Sequence, residues 1–438
     1  MHRTLGPSHA IAVSSRASQE IDDRSATSPL PTYAIGCDCL ESSAHLPAAS
    51  PDPDRGTTMN SPIHIAIVGA GVTGLSIAYS LASRGAGGVM VFERTRIAAE
   101  ASGVQPGGVR QQWGTEVNCK MSRESFLFYR EMGERLESNL NPSFQSCGYV
   151  FVAETPVVLE QLEANVRLQR SLGIPSELLP PHRVAEAVPD IAEDFILGAA
   201  YCAEDGYFDN GQVAVQAFAE AAARHRVSIE YQEVVQVSEN GKLWQLSLGD
   251  GSERFAQHVV LANGYDSPTL ARPLGSELPI EREARYLFLS DPISERLLEP
   301  LVVSATRRFA AKQLANGRIL ASDLSASGSP RGHETEWRAN IQNHAGELLP
   351  RLQFVTYPVL VEGLYDMTPD SQPILGSLAG RDGLWIAAGF SGHGFMMAPV
   401  IGARIADAIL LDRYSEELEI LSFDRFSRGE LVPEPQVF

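Results

Sequence analysis

The stretch from Ile63 to Glu93 constrains this 438-residue chain more than any other. Ile63, Ile65, Ile67 and Val68 form a short β-branched run, the pattern of a strand buried on both faces. Gly69-Ala70-Gly71-Val72-Thr73-Gly74 follows without a break. Leu75, Ala78, Tyr79, Leu81 and Ala82 then recur at helical spacing until Gly85 offers a stop. Val89–Phe92 reads as a second buried strand, ending on Glu93. The whole is a βαβ unit of about 30 residues, the size of a right-handed parallel crossover.

Within that unit each polar or small residue has a physical task. Gly69 permits the tight turn out of the strand, Gly71 lets backbone approach a pyrophosphate, and Gly74 lets the helix pack close to the sheet. The helix opens at Val72 and Thr73, where unpaired N–H groups and the positive dipole end favour phosphate. Glu93, 19 residues beyond Gly74, is placed to accept hydrogen bonds from ribose hydroxyls, with Arg94 beside it. A lone G-x-G-x-x-G reads equally well as a surface turn; strand, helix and terminal acid together predict a dinucleotide site.

A second glycine-rich turn, Gly389-Phe390-Ser391-Gly392-His393-Gly394, lies 320 residues after Gly69. It also leads from an apolar strand, Leu384–Ala388, into a helix expected near 397–411, with Pro399 early. A nicotinamide enzyme normally keeps its cofactor on one Rossmann domain, so a second distant turn favours FAD. The positive end of the second helix suits the N1–C2=O edge of a reduced flavin. The competing reading is a strand-to-helix turn in an unrelated domain.

Four separated segments carry a family resemblance. Ile65–Glu93, Gly107-Gly108-Val109-Arg110-Gln111-Gln112-Trp113, Gly363-Leu364-Tyr365-Asp366-Met367-Thr368-Pro369-Asp370 and Ala388–Phe395 together resemble the D-amino-acid oxidase superfamily. The chain is most similar to its sarcosine oxidase, glycine oxidase and proline dehydrogenase β-subunit branch, from about residue 62 to residue 420. The resemblance implies an α/β fold: a discontinuous Rossmann-like FAD-binding domain (61–140, 205–275 and 355–430) and a second, mixed-sheet α+β substrate domain (141–204 and 276–354). It further implies a small amine or amino-acid substrate stacked on the flavin. Hydride passes from the carbon bearing the amine to flavin N5, and water hydrolyses the resulting imine. The expected cofactor residues are Gly69, Gly71, Val72, Thr73, Gly74, Glu93, Arg94, Gly108, Gly389, Ser391, Gly392, Gly394, Phe395 and Met396.

The resemblance places Arg110 and His393 as catalytic residues beside the flavin. Arg110 either stabilises flavin charge or clamps a substrate carboxylate, and the competing reading is a structural ion pair. His393 either touches the flavin or packs its loop; Thr368 and Asp370 shape the neighbouring loop or only form its turn. Two departures matter. Covalently flavinylated relatives carry a cysteine where this chain has Gly363, so the FAD is expected to be non-covalent. A carboxylate-binding lysine is replaced by Met396, which leaves an arginine such as Arg285, or a larger and less polar substrate, as alternatives. Arg285, Tyr286, Arg307, Lys312 and Tyr357 lie in segments expected to line the substrate domain, but read as structural residues.

Composition narrows the partners. A formal net charge of −19 argues against nucleic acid and against adsorption on an anionic membrane. Cys37, Cys39, Cys119, Cys147 and Cys202 form no C-x-x-C pair, which predicts no metal or iron–sulfur site. No apolar run reaches the length of a membrane span, and no secretory h-region precedes residue 60. With sparse cysteines this gives a cytoplasmic location as the default. Residues 1–60, rich in Ser, Ala, Pro and Thr, read as a disordered extension. The electron acceptor is oxygen or a redox partner, the latter in a hetero-oligomer; a non-catalytic flavoprotein assembly factor is the remaining alternative.

Overall fold

In the computed structural model of the chain, residues 62–378 and 380–435 are described. The expected extension at 1–60, with Cys37 and Cys39, lies outside them. The β-branched runs do become strands, and the glycine turns separate them from helices. Two large sheets result.

The first sheet has eight strands and is built on Ile63–Val68. That strand runs parallel to Val89–Phe92 on one side and to the end of Glu253–Leu261 on the other. Ser228–Glu230 extends it beyond Val89–Phe92, and Leu384–Ala388 pairs parallel with Val259, Val260 and Leu261. The alternating run Val227–Val237 does not form one continuous strand. Ser228–Glu230 pairs in the parallel part, while Val234–Asn240 turns back to pair antiparallel with Leu243–Leu248.

Burial explains the order of this sheet. Ile65 and Ile67 face helices Val72–Ser83 and Gly211–Arg224 across one apolar core. Ala66 and Val68 point the other way, into a core shared with Trp244, Leu246 and Ile386. A strand covered on both faces must be apolar at every position, and Ile65 to Val68 are all at most 6 % exposed.

Helix Gly394–Leu411 is long and apolar enough, by length and composition, to cross a membrane, with a mean hydropathy of 1.6 over 18 residues. The sequence reading expects no such segment. The helix is instead packed among helices Val72–Ser83 and Glu116–Arg130. Ser76 Oγ donates to Ala398 O at 2.8 Å across the contact with Val72–Ser83. Pro399 lies inside this helix and has no N–H to give to the Phe395 carbonyl one turn earlier. The Tyr129 hydroxyl donates to that carbonyl in its place. A buried acceptor orphaned by proline is thus satisfied by a side chain.

The second sheet also has eight strands, in the order 359–367, 281–289, 319–323, 309–313, 301–304, 149–153, 198–202 and 177–179. All its pairings are antiparallel except that of Leu301–Ser304 with Tyr149–Ala153. Strand Val359–Met367, which the sequence places among the FAD-binding segments, belongs to this sheet through continuous pairing from Glu281↔Met367 to Leu289↔Val359. A small third sheet joins Gly108–Val109, Gly206–Phe208 and Phe144–Ser146. The observed architecture is the α/β arrangement with a second mixed sheet that the sequence predicts.

Candidate active site

A cavity of about 620 Å³ is bounded by the carboxyl ends of the first sheet and one face of the second. Ligands of open α/β sheets bind at such carboxyl ends. Both glycine-rich turns reach it. Gly69, Gly71, Val72 and Thr73 line one end with Glu93 and Arg94, and Gly392, Gly394, Phe395 and Met396 line another part with Gly108.

The glycines of the first turn differ in their surroundings, and Gly74, expected among the cofactor residues, does not line the cavity. A Cβ on Gly74 would lie 2.0 Å from the Gly69 carbonyl oxygen, so this glycine seals the turn and does not face the cavity. A Cβ on Gly71 would meet only Ser102 Oγ, at 3.1 Å, and project where a ligand would lie. Val72 N–H donates to that same Ser102 hydroxyl at 3.0 Å. Ser102 therefore joins the phosphate end of the cavity, with its own proton left to donate. No periodic or local motif marks Ser102, because it approaches across 30 residues of chain.

Glu93 is held in place by its neighbours. Oε2 accepts from Ala70 N–H at 3.0 Å and Oε1 from Thr95 N–H at 2.9 Å. Thr95 Oγ1 also donates to Oε1, at 3.3 Å, which leaves about one of the four lone-pair positions of the carboxylate for a ribose hydroxyl. Arg94 is pinned at the rim by Asp266 at 2.8 Å and Glu100 at 3.0 Å. These features fit the adenosine diphosphate half of a dinucleotide: a helix start with no side-chain cap from Gly71, a carboxylate with a free acceptor position, and space where a side chain would intrude.

The second turn is fixed by the strand Val359–Met367. Asp366 Oδ2 accepts from Gly389 N–H at 2.7 Å, and its carbonyl accepts from Ser391 N–H at 3.1 Å. Burial pushes the Asp366 carboxyl up to about 6, against the pull of the Phe390 and Gly389 N–H groups. The Tyr365 ring packs on Gly392, where a Cβ would come within 2.4 Å of it. Gly389 and Ser391 do not line the cavity: Ser391 Oγ instead accepts from Thr368 N–H at 3.1 Å. Asp370 is likewise structural, in a bidentate pair with Arg425 at 2.8 and 2.9 Å, both side chains fully buried.

Arg110 and His393, the expected catalytic residues, come together but stand behind the cavity wall and do not line it. The Arg110 guanidinium lies 3.8 Å over the Trp113 ring, and the His393 ring meets Trp113 edge-on at 4.5 Å. Burial, with the Arg110 charge adding to it, lowers the His393 imidazole to about 3, so it is neutral. Arg110 is lowered by burial and supported by Glu434. That carboxylate also accepts from Gly114 N–H, Thr115 Oγ1 and Asn118 Nδ2 at 2.7 to 2.9 Å. Behind the wall Arg110 is engaged by the Trp113 ring and donates from Nη1 to the Gln112 carbonyl at 3.3 Å.

The second sheet supplies an apolar wall: Leu287, Leu301, Ala310, Leu320 and Leu324. Among it stand Arg285, Tyr286 and Lys312, which the sequence reads as structural; Arg307 and Tyr357 are elsewhere. Arg307 pairs with Glu154 and Glu347, and Tyr357 packs in the core behind the sheet. Among the described residues no cysteine or histidine lines the cavity.

Comparison with known proteins agrees with this geometry. Residues 64–408 match the model of the DAO family, FAD dependent oxidoreductase. The chain is 26 % identical to 4-methylaminobutanoate oxidase (formaldehyde-forming) of Paenarthrobacter nicotinovorans, over 84 % of this chain and 46 % of that enzyme, so it spans about half of that relative's length. It is 24 % identical to glycine oxidase of Geobacillus kaustophilus, over 82 % of this chain and 95 % of that one. L-proline dehydrogenase from P. horikoshii superposes with a TM-score of 0.79 at 26 % identity, covering 85 % of this chain and 100 % of that chain. The chain is therefore a member of the DAO family of FAD-dependent oxidoreductases, with FAD as its cofactor.

Proposed function

We propose that this protein oxidises the C–N bond of an amine or amino acid. The observation that carries the proposal is the single cavity that runs from the Gly69–Thr73 turn past Gly392–Met396 to an apolar wall of the second sheet. The names of its relatives, glycine oxidase and 4-methylaminobutanoate oxidase, support the substrate class.

Bound FAD supplies the acceptor for a hydride leaving the carbon that bears the amine. The start of helix Val72–Ser83 and Ser102 would hold the pyrophosphate, and Glu93 the ribose. The start of helix Gly394–Leu411, which lines the cavity, would stabilise negative charge on a reduced flavin through its positive dipole end. Leu287, Leu301 and Leu320 exclude water from the reacting carbon, which favours the neutral amine. As the hydride leaves, the amine lone pair forms the C=N bond, and water then hydrolyses the imine to a carbonyl compound. Arg110 acts from behind the wall through its positive charge and its hold on Trp113, and neutral His393 buttresses the same indole.

The FAD is held without a covalent bond, because Gly363 has no thiol and, among the described residues, neither cysteine nor histidine lines the cavity. Denaturation followed by filtration tests this: flavin is expected in the filtrate, and colour retained by the protein would contradict it. The likeness to L-proline dehydrogenase favours a second reading of the electron's route, to a redox partner rather than oxygen. Hydrogen peroxide formed by the purified chain without added acceptor separates the two. The reading itself is tested by anaerobic bleaching at about 450 nm against amino acids and N-methylated amines. Reduction by at least one class is expected; a flavin that none of them bleaches would overturn it.

A further inference from the structure

We infer that Lys312 is the anchor for an anionic group of the substrate, so that the protein takes amino acids or amino-carboxylates with an apolar body and not simple amines. This deepens the proposed oxidation of a C–N bond and rests on it.

Lys312 sits on strand Phe309–Gln313, in the middle of the apolar wall, and is 1 % exposed. Leu320 is its cross-strand partner, and Leu301 lines the cavity on the neighbouring strand. Its ammonium donates to the Pro106 carbonyl at 2.5 Å and lies 3.9 Å over the Tyr207 ring. Among the described residues no carboxylate forms an ion pair with it. Three N–H donors and a full charge are thus met by one carbonyl and one aromatic face. A buried cation so incompletely compensated is costly unless an anion arrives. The other two cations on the cavity are already paired, Arg94 with Asp266 and Glu100, Arg285 with Glu283. Met396 offers no charge, and Arg110 stands behind the wall. Among the described residues, Lys312 is the cavity cation with no carboxylate in an ion pair with it.

The groups facing it sharpen a pH dependence. Tyr207 and Asp209 approach from the strand Gly206–Phe208 and its exit, and Cys147 from the turn before Tyr149. Arg296 holds the Tyr207 hydroxyl at 3.4 Å. Asp209 is engaged by Ala315 N–H at 2.9 Å. Burial brings the Cys147 thiol up to about 11, so it is neutral near pH 7. Burial also lowers the Lys312 ammonium to about 7, with Cys147 and Asp209 opposing. In the free enzyme the charged anchor is therefore present below that value and lost above it. A bound carboxylate raises the value, so its affinity falls as pH rises.

The test uses the FAD-loaded protein and two non-oxidisable probes of one shape, 4-methylpentanoate and its neutral amide, measured by calorimetry. The carboxylate is expected to bind at least ~10-fold tighter at pH 6, with most of that preference gone at pH 9. Lys312→Met should abolish the preference and Lys312→Arg should keep it, with circular dichroism confirming the fold of each. Equal binding of the two probes by the wild-type protein, or no binding of either at about 10 mM, would overturn the inference. A folded Lys312→Met protein that alters the flavin spectrum and keeps its carboxylate preference would overturn it too, by placing Lys312 against the cofactor. If the preference appears but no amine or amino acid bleaches the flavin, the oxidation itself fails while the anion site stands.

Discussion

Replacing Gly71 with alanine separates cofactor binding from folding. Gly71 has φ −75° and ψ 176°, an extended conformation open to any residue. Its new methyl would meet only Ser102 Oγ, at 3.1 Å, a contact relieved by a shift of a few tenths of an ångström. With the poorer helix-capping of alanine, the loss of stability of the FAD-free protein should stay below about 1 kcal/mol. On the cavity side the methyl occupies the place where a pyrophosphate must approach backbone. Overfilling a packed contact costs ~1–3 kcal/mol, which is roughly 5- to 150-fold in the dissociation constant of FAD. Gly74→Ala is the contrast, since its Cβ would lie 2.0 Å from the Gly69 carbonyl and must disrupt the turn itself. The assay is FAD titration of apoprotein by flavin fluorescence quenching, beside urea unfolding of the same apoprotein. Gly71→Ala is expected to lose FAD affinity with little loss of stability. An affinity within twofold of wild type, or a loss fully matched by unfolding, would refute the reasoning.

Three further outcomes follow from buried groups. Asp370→Asn leaves Arg425 charged and fully buried, and should destabilise the protein by about 3–5 kcal/mol in urea unfolding, because removing one partner of a buried pair strands the other. Tyr129→Phe strands the Phe395 carbonyl that Pro399 cannot serve, with an expected loss of about 1–3 kcal/mol; adding Pro399→Ala should restore part of it by supplying the N–H. His393 is lowered by burial, so the unfolded chain binds its proton first as pH falls below the usual imidazole range. It therefore withdraws stability as pH drops from there towards about 3, by up to about 1.4 kcal/mol per pH unit. Unfolding curves of wild type and His393→Gln should diverge in that window, and parallel pH profiles would exclude the buried neutral imidazole.

The parts of the site that are local in sequence are legible there, and those made by long-range packing are not. The Gly69–Gly74 turn can be read because strand, glycines, helix and Glu93 all fall within one βαβ unit. Strand Val359–Met367 falls within the segment 355–430 expected in the FAD-binding domain, and no local pattern says which strand it will pair with; its continuous register with Glu281–Leu289 places it in the second sheet. The helix near 397–411 is legible, but its membrane-span length is not, because Arg404 and Asp407 interrupt the apolar run. Arg110 holds the expected motif position, but it stands behind the cavity wall over the Trp113 ring, a packing that the motif does not encode. Lys312 lies in the run Phe309-Ala310-Ala311-Lys312-Gln313, where nothing local distinguishes an ordinary surface lysine from one walled in by Leu301 and Leu320.

The central claim is that the cavity between the two sheets holds FAD next to an amine undergoing oxidation. An anaerobic single turnover tests it most directly, with flavin absorbance followed while carbonyl product and released amine or ammonia are quantified by mass spectrometry. One equivalent of carbonyl product per FAD reduced is the expected result. A flavin that stays oxidised before every amine and amino acid offered, or one that bleaches without forming a carbonyl product, would contradict the account.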